Sequence, residues 1–78
     1  MALSAKVVIT DPAGALPLVG AGTAVLVAGE DAAAVGEVVA ALRAAGAEAA
    51  GWIGDPSDPA VREMAAELFP GREIATAG

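Results

Sequence analysis

The chain has no cysteine, no histidine and no tyrosine, one phenylalanine, one tryptophan and four basic residues in 78. Each shortage removes a class of chemistry. Without Cys there is no disulfide framework and no thiolate metal site. Without His the commonest metal ligand and acid/base group is missing, and without Tyr there is no phenolic general acid. Lys6, Arg43, Arg62 and Arg72 stand against ten carboxylates, a net charge of −6. That balance argues against nucleic acid and against anionic membrane, both of which recruit clusters of Lys and Arg. The chemistry left is that of carboxylates, and most Asp and Glu here are expected as solvated groups on helix faces.

What is present is apolar, 56% of the residues, with Ala dominant. A chain of this length makes one small domain, residues 1–78, and buries only about 60% of its unfolded surface. Ala adds little area, so the core rests on Val, Leu and Ile with Met64, Phe69 and Trp52. At about 25 cal/mol per Å² that drives folding only modestly against the cost of ordering the backbone. A truncated unit that needs a partner or further chain is the expectation. Residues 12–29 carry no charge, a run near the lower length for a membrane span. Pro12, Gly14, Pro17, Gly20 and Gly22 interrupt it and no basic flank precedes it, so it reads as a buried loop and strand of a cytoplasmic protein.

The chain is organised around residues 23–59. Thr23 to Gly29, without charge and with Val25, Leu26 and Val27 at its centre, suits a strand covered on both faces. Asp31 is placed as an N-cap. Val35, Val38, Val39 and Leu42 then fall on one helical face, and Gly46 supplies the left-handed residue that ends the helix. A second strand is expected over about Glu48 to Gly54, parallel to the first through a right-handed crossover. Before this unit, Lys6 to Thr10 reads as a strand, and the short span up to Thr23 leaves room for one packed turn around Leu16, Leu18 and Val19. After it, Asp58 and Pro59 open a helix whose inward stripe is Val61, Met64, Ala65 and Leu68, extended by Phe69 and ended by Pro70 and Gly71. Arg62 and Arg72 are expected in solvent and Trp52 as a possible contact residue. Glu73 to Gly78 is expected as a fourth strand.

The segments TDPAGALP, VLVAGEDAAAV, AALRAAGAEA, GDPSDPAV and a closing TAG, in that order, resemble the N-terminal half of the short-chain dehydrogenase/reductase family, the ketoreductase domains of polyketide synthases included. From Val25 to Pro59 the resemblance runs without a gap. It implies a small three-layer, Rossmann-like α/β fold of about four parallel strands in the order 3-2-1-4, with two main helices. It also places a dinucleotide. Thr10, Gly14, Ala15 and Leu16 match the glycine-rich diphosphate loop, Glu30 the acidic residue that bonds the adenosine ribose and favours NAD over NADP, and Asp55 the contact to the adenine amino group. Asp11, Pro12 and Pro17 stand where that loop has glycine, and Pro56 where the family has Leu or Val. A carboxylate and two prolines oppose a site made of bare amides and a helix dipole. The family's catalytic Ser and its Tyr-x-x-x-Lys pair have no counterpart in these residues. The expected function is a non-catalytic, degenerate dehydrogenase-type half that serves as a structural or interaction module. No cofactor is expected, NAD(P) being the candidate if one is held, and the expected partner is a second copy or a larger subunit.

Two other readings follow from the same residues. In one, the chain is a small-molecule or NAD-type nucleotide-binding fragment of an oxidoreductase, or a regulatory module whose acidic rim of Glu30, Asp31 and Asp55 takes a cation. In the other, the run from Gly20 to Gly54 is similar to the opening of the C-terminal domain of aminoimidazole ribonucleotide synthetase, which would give the strand Ala24 to Ala28 an antiparallel neighbour.

Overall fold

The computed structural model describes residues 6–18 and 23–76. Strand β1 (Lys6–Thr10) leads into a four-residue helix, α1 (Pro12–Ala15), and a 3₁₀ turn, Leu16–Leu18. Strand β2 (Ala24–Gly29), helix α2 (Ala32–Ala44), strand β3 (Ala49–Ile53), helix α3 (Pro59–Leu68) and strand β4 (Glu73–Thr76) follow. The four strands form one parallel sheet in the order β3-β2-β1-β4. This is the expected α/β Rossmann-like arrangement. Both neighbours of β2 are parallel to it, so the antiparallel neighbour that the synthetase-like reading required is not there.

Sequence chemistry accounts for the elements. Asp31 takes the amides of Ala33 and Ala34 on one carboxylate oxygen, at 3.0 and 3.4 Å, the role of an N-cap. At the other end Gly46 has φ +88°. Its N–H bonds the Arg43 carbonyl and that of Ala47 bonds Leu42, at 2.9 and 3.0 Å, which together make a Schellman stop. Asp58 caps α3 through the Ala60 amide at 2.9 Å, with Pro59 in the first helical position.

Strand alternation sends side chains to two faces, and each face is packed. On one, Val7 and Ile9 of β1 and Ala24, Leu26 and Ala28 of β2 meet Val61, Ala65 and Phe69. Trp52 is half-buried against this cluster rather than set off from the sheet. On the other, Val25, Val27 and Ala49 meet Val35, Val38, Val39 and Leu42 of α2, with Ala15 from α1. Helices on both sides of the sheet make the three layers.

Several details depart from the expectations. β2 begins at Ala24 and β3 spans Ala49–Ile53, each a residue or so shorter than read. Leu68 is 47% exposed: α3 ends there, and the core position passes to Phe69. The packed turn is Leu16–Leu18, with Leu16 turned outward and 54% exposed; Val19, Gly20 and Gly22 lie outside the described residues, as do Ala77 and Gly78. Neither arginine is idle. Arg72 makes a two-pronged bond to Glu48, at 2.7 and 3.0 Å, with its guanidinium 5.6 Å from the centre of the Phe69 ring. Arg62 donates to Thr76 Oγ1 at 3.0 Å and to the Ile74 carbonyl at 3.2 Å. Among the described residues no helix is long and apolar enough to cross a membrane.

Candidate functional site

Open parallel sheets present ligands at the carboxyl ends of their strands. Here those ends carry Thr10, Asp11, Gly29, Glu30, Gly54 and Asp55. The sheet brings together the five positions named from sequence only in part. Thr10 is buried, 2% exposed, at the end of β1. Gly14 lies directly above it, so close that a Cβ would strike Thr10 Oγ1 and come within 2.9 Å of Asp11 Oδ1. No side chain fits there. Leu16 is exposed.

The turn between β1 and α1 satisfies itself. Asp11 is in extended conformation, with φ −77° and ψ 169°. Its carboxylate accepts the Gly14 amide at 2.7 Å, while its carbonyl accepts the Ala15 amide at 3.0 Å. Pro12, next in the chain, has no amide to offer. Of the three amides that open α1, one is thus absent and one is bonded to a carboxylate. The Pro12 ring also fills space. A Cβ on Gly29 would come within 3.1 Å of Pro12 Cδ and 3.2 Å of Val35 Cγ2, so the proline ring is seated against the tip of β2. Asp11 thus holds the Gly14 amide at the start of α1 on its own carboxylate.

The other tips are also engaged locally. Glu30 is exposed just past β2. Asp31 beside it is committed to the α2 cap. Asp55 accepts both the amide and the hydroxyl of Ser57, each at 2.8 Å. The backbone bond, then the hydroxyl bond, hold its carboxyl below the usual carboxylate range. Glu30, Asp31 and Asp55 do not converge: among the described residues no three acidic groups are placed to hold a metal ion.

Sequence reasoning missed the arginines. Arg62 on α3 reaches the end of β4, and Arg43 on α2 donates Nε to the Ala49 carbonyl at 3.0 Å. The partners lie twelve to fourteen and six residues away, spacings that match no local motif. A concavity was missed as well. A shallow groove of about 420 Å³ runs along α2 and β3, lined by Ala32, Gly36, Ala40, Arg43, Gly51 and Ile53 among others. It lies on the flank of the sheet and runs from the carboxyl end of β3, at Ile53 and Ala32, down to Arg43.

No protein-family model matches the chain, and no curated protein matches it. Among solved structures, one described as a "putative dehydrogenase from Burkholderia cenocepacia with bound NADP" is similar, with 33% identity and a TM-score of 0.72. The similarity covers 94% of this chain and 33% of that one. The chain therefore spans about a third of the length of the solved structure it matches. With its strand order, its helices on both faces and this neighbour, the chain is a Rossmann-like α/β unit similar to part of a dehydrogenase.

Proposed function

We propose that this chain is a dehydrogenase-type Rossmann half, of the short-chain dehydrogenase/reductase kind, whose diphosphate turn is filled by its own Asp11 carboxylate. It acts as a structural or interaction module and performs no chemistry by itself. The observation that carries this reading is the 2.7 Å bond from the Gly14 amide to Asp11. A dinucleotide would have to break that bond, bring its negative charge against a carboxylate and do without the amide that Pro12 lacks. The missing Tyr and His agree with a non-catalytic role. We read residues 1–78 as a single unit working in the cytoplasm, against a second copy or a larger subunit. The test is thermal unfolding with increasing NAD or NADP. The expected result is an unchanged melting temperature, and a concentration-dependent rise with either nucleotide would contradict the proposal.

The nucleotide-binding reading has one observation in its favour, the NADP bound to the similar Burkholderia cenocepacia protein. Glu30 bears on which nucleotide would bind. A carboxylate at that tip suits a free ribose hydroxyl and repels a 2′-phosphate, so under this reading NAD would stabilise the chain more than NADP does.

A further inference from the structure

The groove on the flank of the sheet is built from two elements, and both are left incomplete by the chain's own packing. The first is the outer edge of β3. The Val25 amide bonds the Glu48 carbonyl and the Gly54 amide bonds the Gly29 carbonyl, so residues 48 and 54 turn their polar groups toward β2. By alternation, Ala49, Gly51 and Ile53 turn theirs outward. Arg43 covers the Ala49 carbonyl, and Ile53 is 55% exposed. The second element is the outer face of α2, where Ala32, Gly36 and Ala40 follow one another at four-residue intervals. Among the described residues nothing accounts for Gly36: a Cβ there would meet nothing within 4 Å, and glycine is a poor choice for a helix interior.

We infer that the open edge of β3 and the small-residue face of α2 form one interface that takes a second copy of this chain across a two-fold axis. The strand and the helix agree on one axis. Antiparallel pairing of the outward residues centres on Gly51, which faces its own copy, with Ala49 opposite Ile53 on either side. Gly51 lies level with residues 35 to 39 of α2, because a Cβ on it would come within 2.8 Å of Val35 and 3.4 Å of Val39. Charge gives the same centre. Two antiparallel α2 helices that cross near residue 37 bring the Arg43 end of each toward the end of the other that carries Glu30 and Asp31, a cation toward a helix start that carries the acids. Glu37 stands outside the set of groove residues and is not brought face to face with its copy.

Spacing supports the same arrangement. α2 packs over both β2 and β3. Its axis therefore lies about 5 Å from a two-fold axis set half a strand spacing beyond β3. The two helices would be about 10 Å apart, ordinary contact distance for packed helices, and small side chains keep the seam clear. In the dimer the second copy's Ile53 amide replaces Arg43 on the Ala49 carbonyl. Arg43 is released to the acidic pair, and the sheet runs on through both copies.

Sedimentation equilibrium of the full chain tests this, with Gly36→Gln and Ile53→Lys beside the unchanged protein. Gly36→Gln adds a side chain where nothing among the described residues obstructs it and improves the helix, so it folds at least as well as the parent. The expected result is a reversible dimer, with a dissociation constant raised at least about tenfold in each variant and a higher melting temperature for the dilute Gly36→Gln monomer. A parent chain that stays monomeric up to about 1 mM, or a dissociation constant unchanged in either variant, would overturn the inference.

Discussion

The two crossovers on the same face of the sheet make an instructive pair. Both follow a strand, both open on an aspartate, and in both that aspartate takes a first-turn amide on its carboxylate. The second crossover then runs for thirteen helical residues and buries Val35, Val38, Val39 and Leu42. The first manages four and buries Ala15. The strands and α2 supply most of the buried core, while the described part of the first crossover is a short turn whose cap is made by its own Asp11.

That contrast is open to direct attack. Leu42 is fully buried and Leu16 is 54% exposed. Leu42→Ala is expected to lower stability by about 3 kcal/mol, and Leu16→Ala by less than about 0.5 kcal/mol, both read from urea midpoints. Equal losses would mean that the first crossover carries more of the fold than its packing suggests. The caps give a smaller difference. Asp31→Ala is expected to cost about 1 kcal/mol, because it frays a helix that holds a core face. Asp11→Ala should cost less, about 0.5 kcal/mol, the low end for a cap, since a four-residue helix has little to lose when its cap goes.

The smallest expected effect is in acid. In the folded chain Arg72 holds the Glu48 carboxyl below its ordinary range through its hydrogen bond, and Ser57 does the same for Asp55. Depressed folded values mean that the contribution is complete above the unfolded-chain values, near about pH 4. It is lost as pH falls through the lower folded values. Glu48→Gln should therefore leave a shallower fall in stability below that pH, and added salt should shrink the difference, since both side chains are partly in solvent. A variant with the same acid profile as the parent would show that the Arg72 bond contributes nothing measurable.

Much of this was legible in sequence because it is written in local spacing. The i, i+3, i+4, i+7 run of Val35 to Leu42, the Asp31 cap, the Gly46 stop and the Asp58-Pro59 opening each specify their element without reference to distant residues. The uncharged run at Val25 to Val27 marked a strand buried on both faces, and parallel pairing followed from the crossover length. What escaped was long-range or three-dimensional. The Arg72 to Glu48 bond joins residues 24 apart, and nothing near either residue announces the other. Leu68 and Phe69 compete for one core position, and the end of the helix decides between them. At the candidate site the sequence marked Asp11 and Pro12 as departures from a glycine-rich loop. Only the coordinates show that the carboxylate turns back onto the Gly14 amide while the proline ring seats against Gly29.

The central claim is that the Gly14 amide already has its anion. The most direct measurement is the amide resonance of Gly14 in a nitrogen-15 correlation spectrum as NADP, then NAD, is titrated into the chain, with Asp11→Gly/Pro12→Gly alongside. The account predicts a fixed Gly14 signal in the parent and a nucleotide-dependent shift in the variant. A saturable shift of Gly14 in the parent would contradict it.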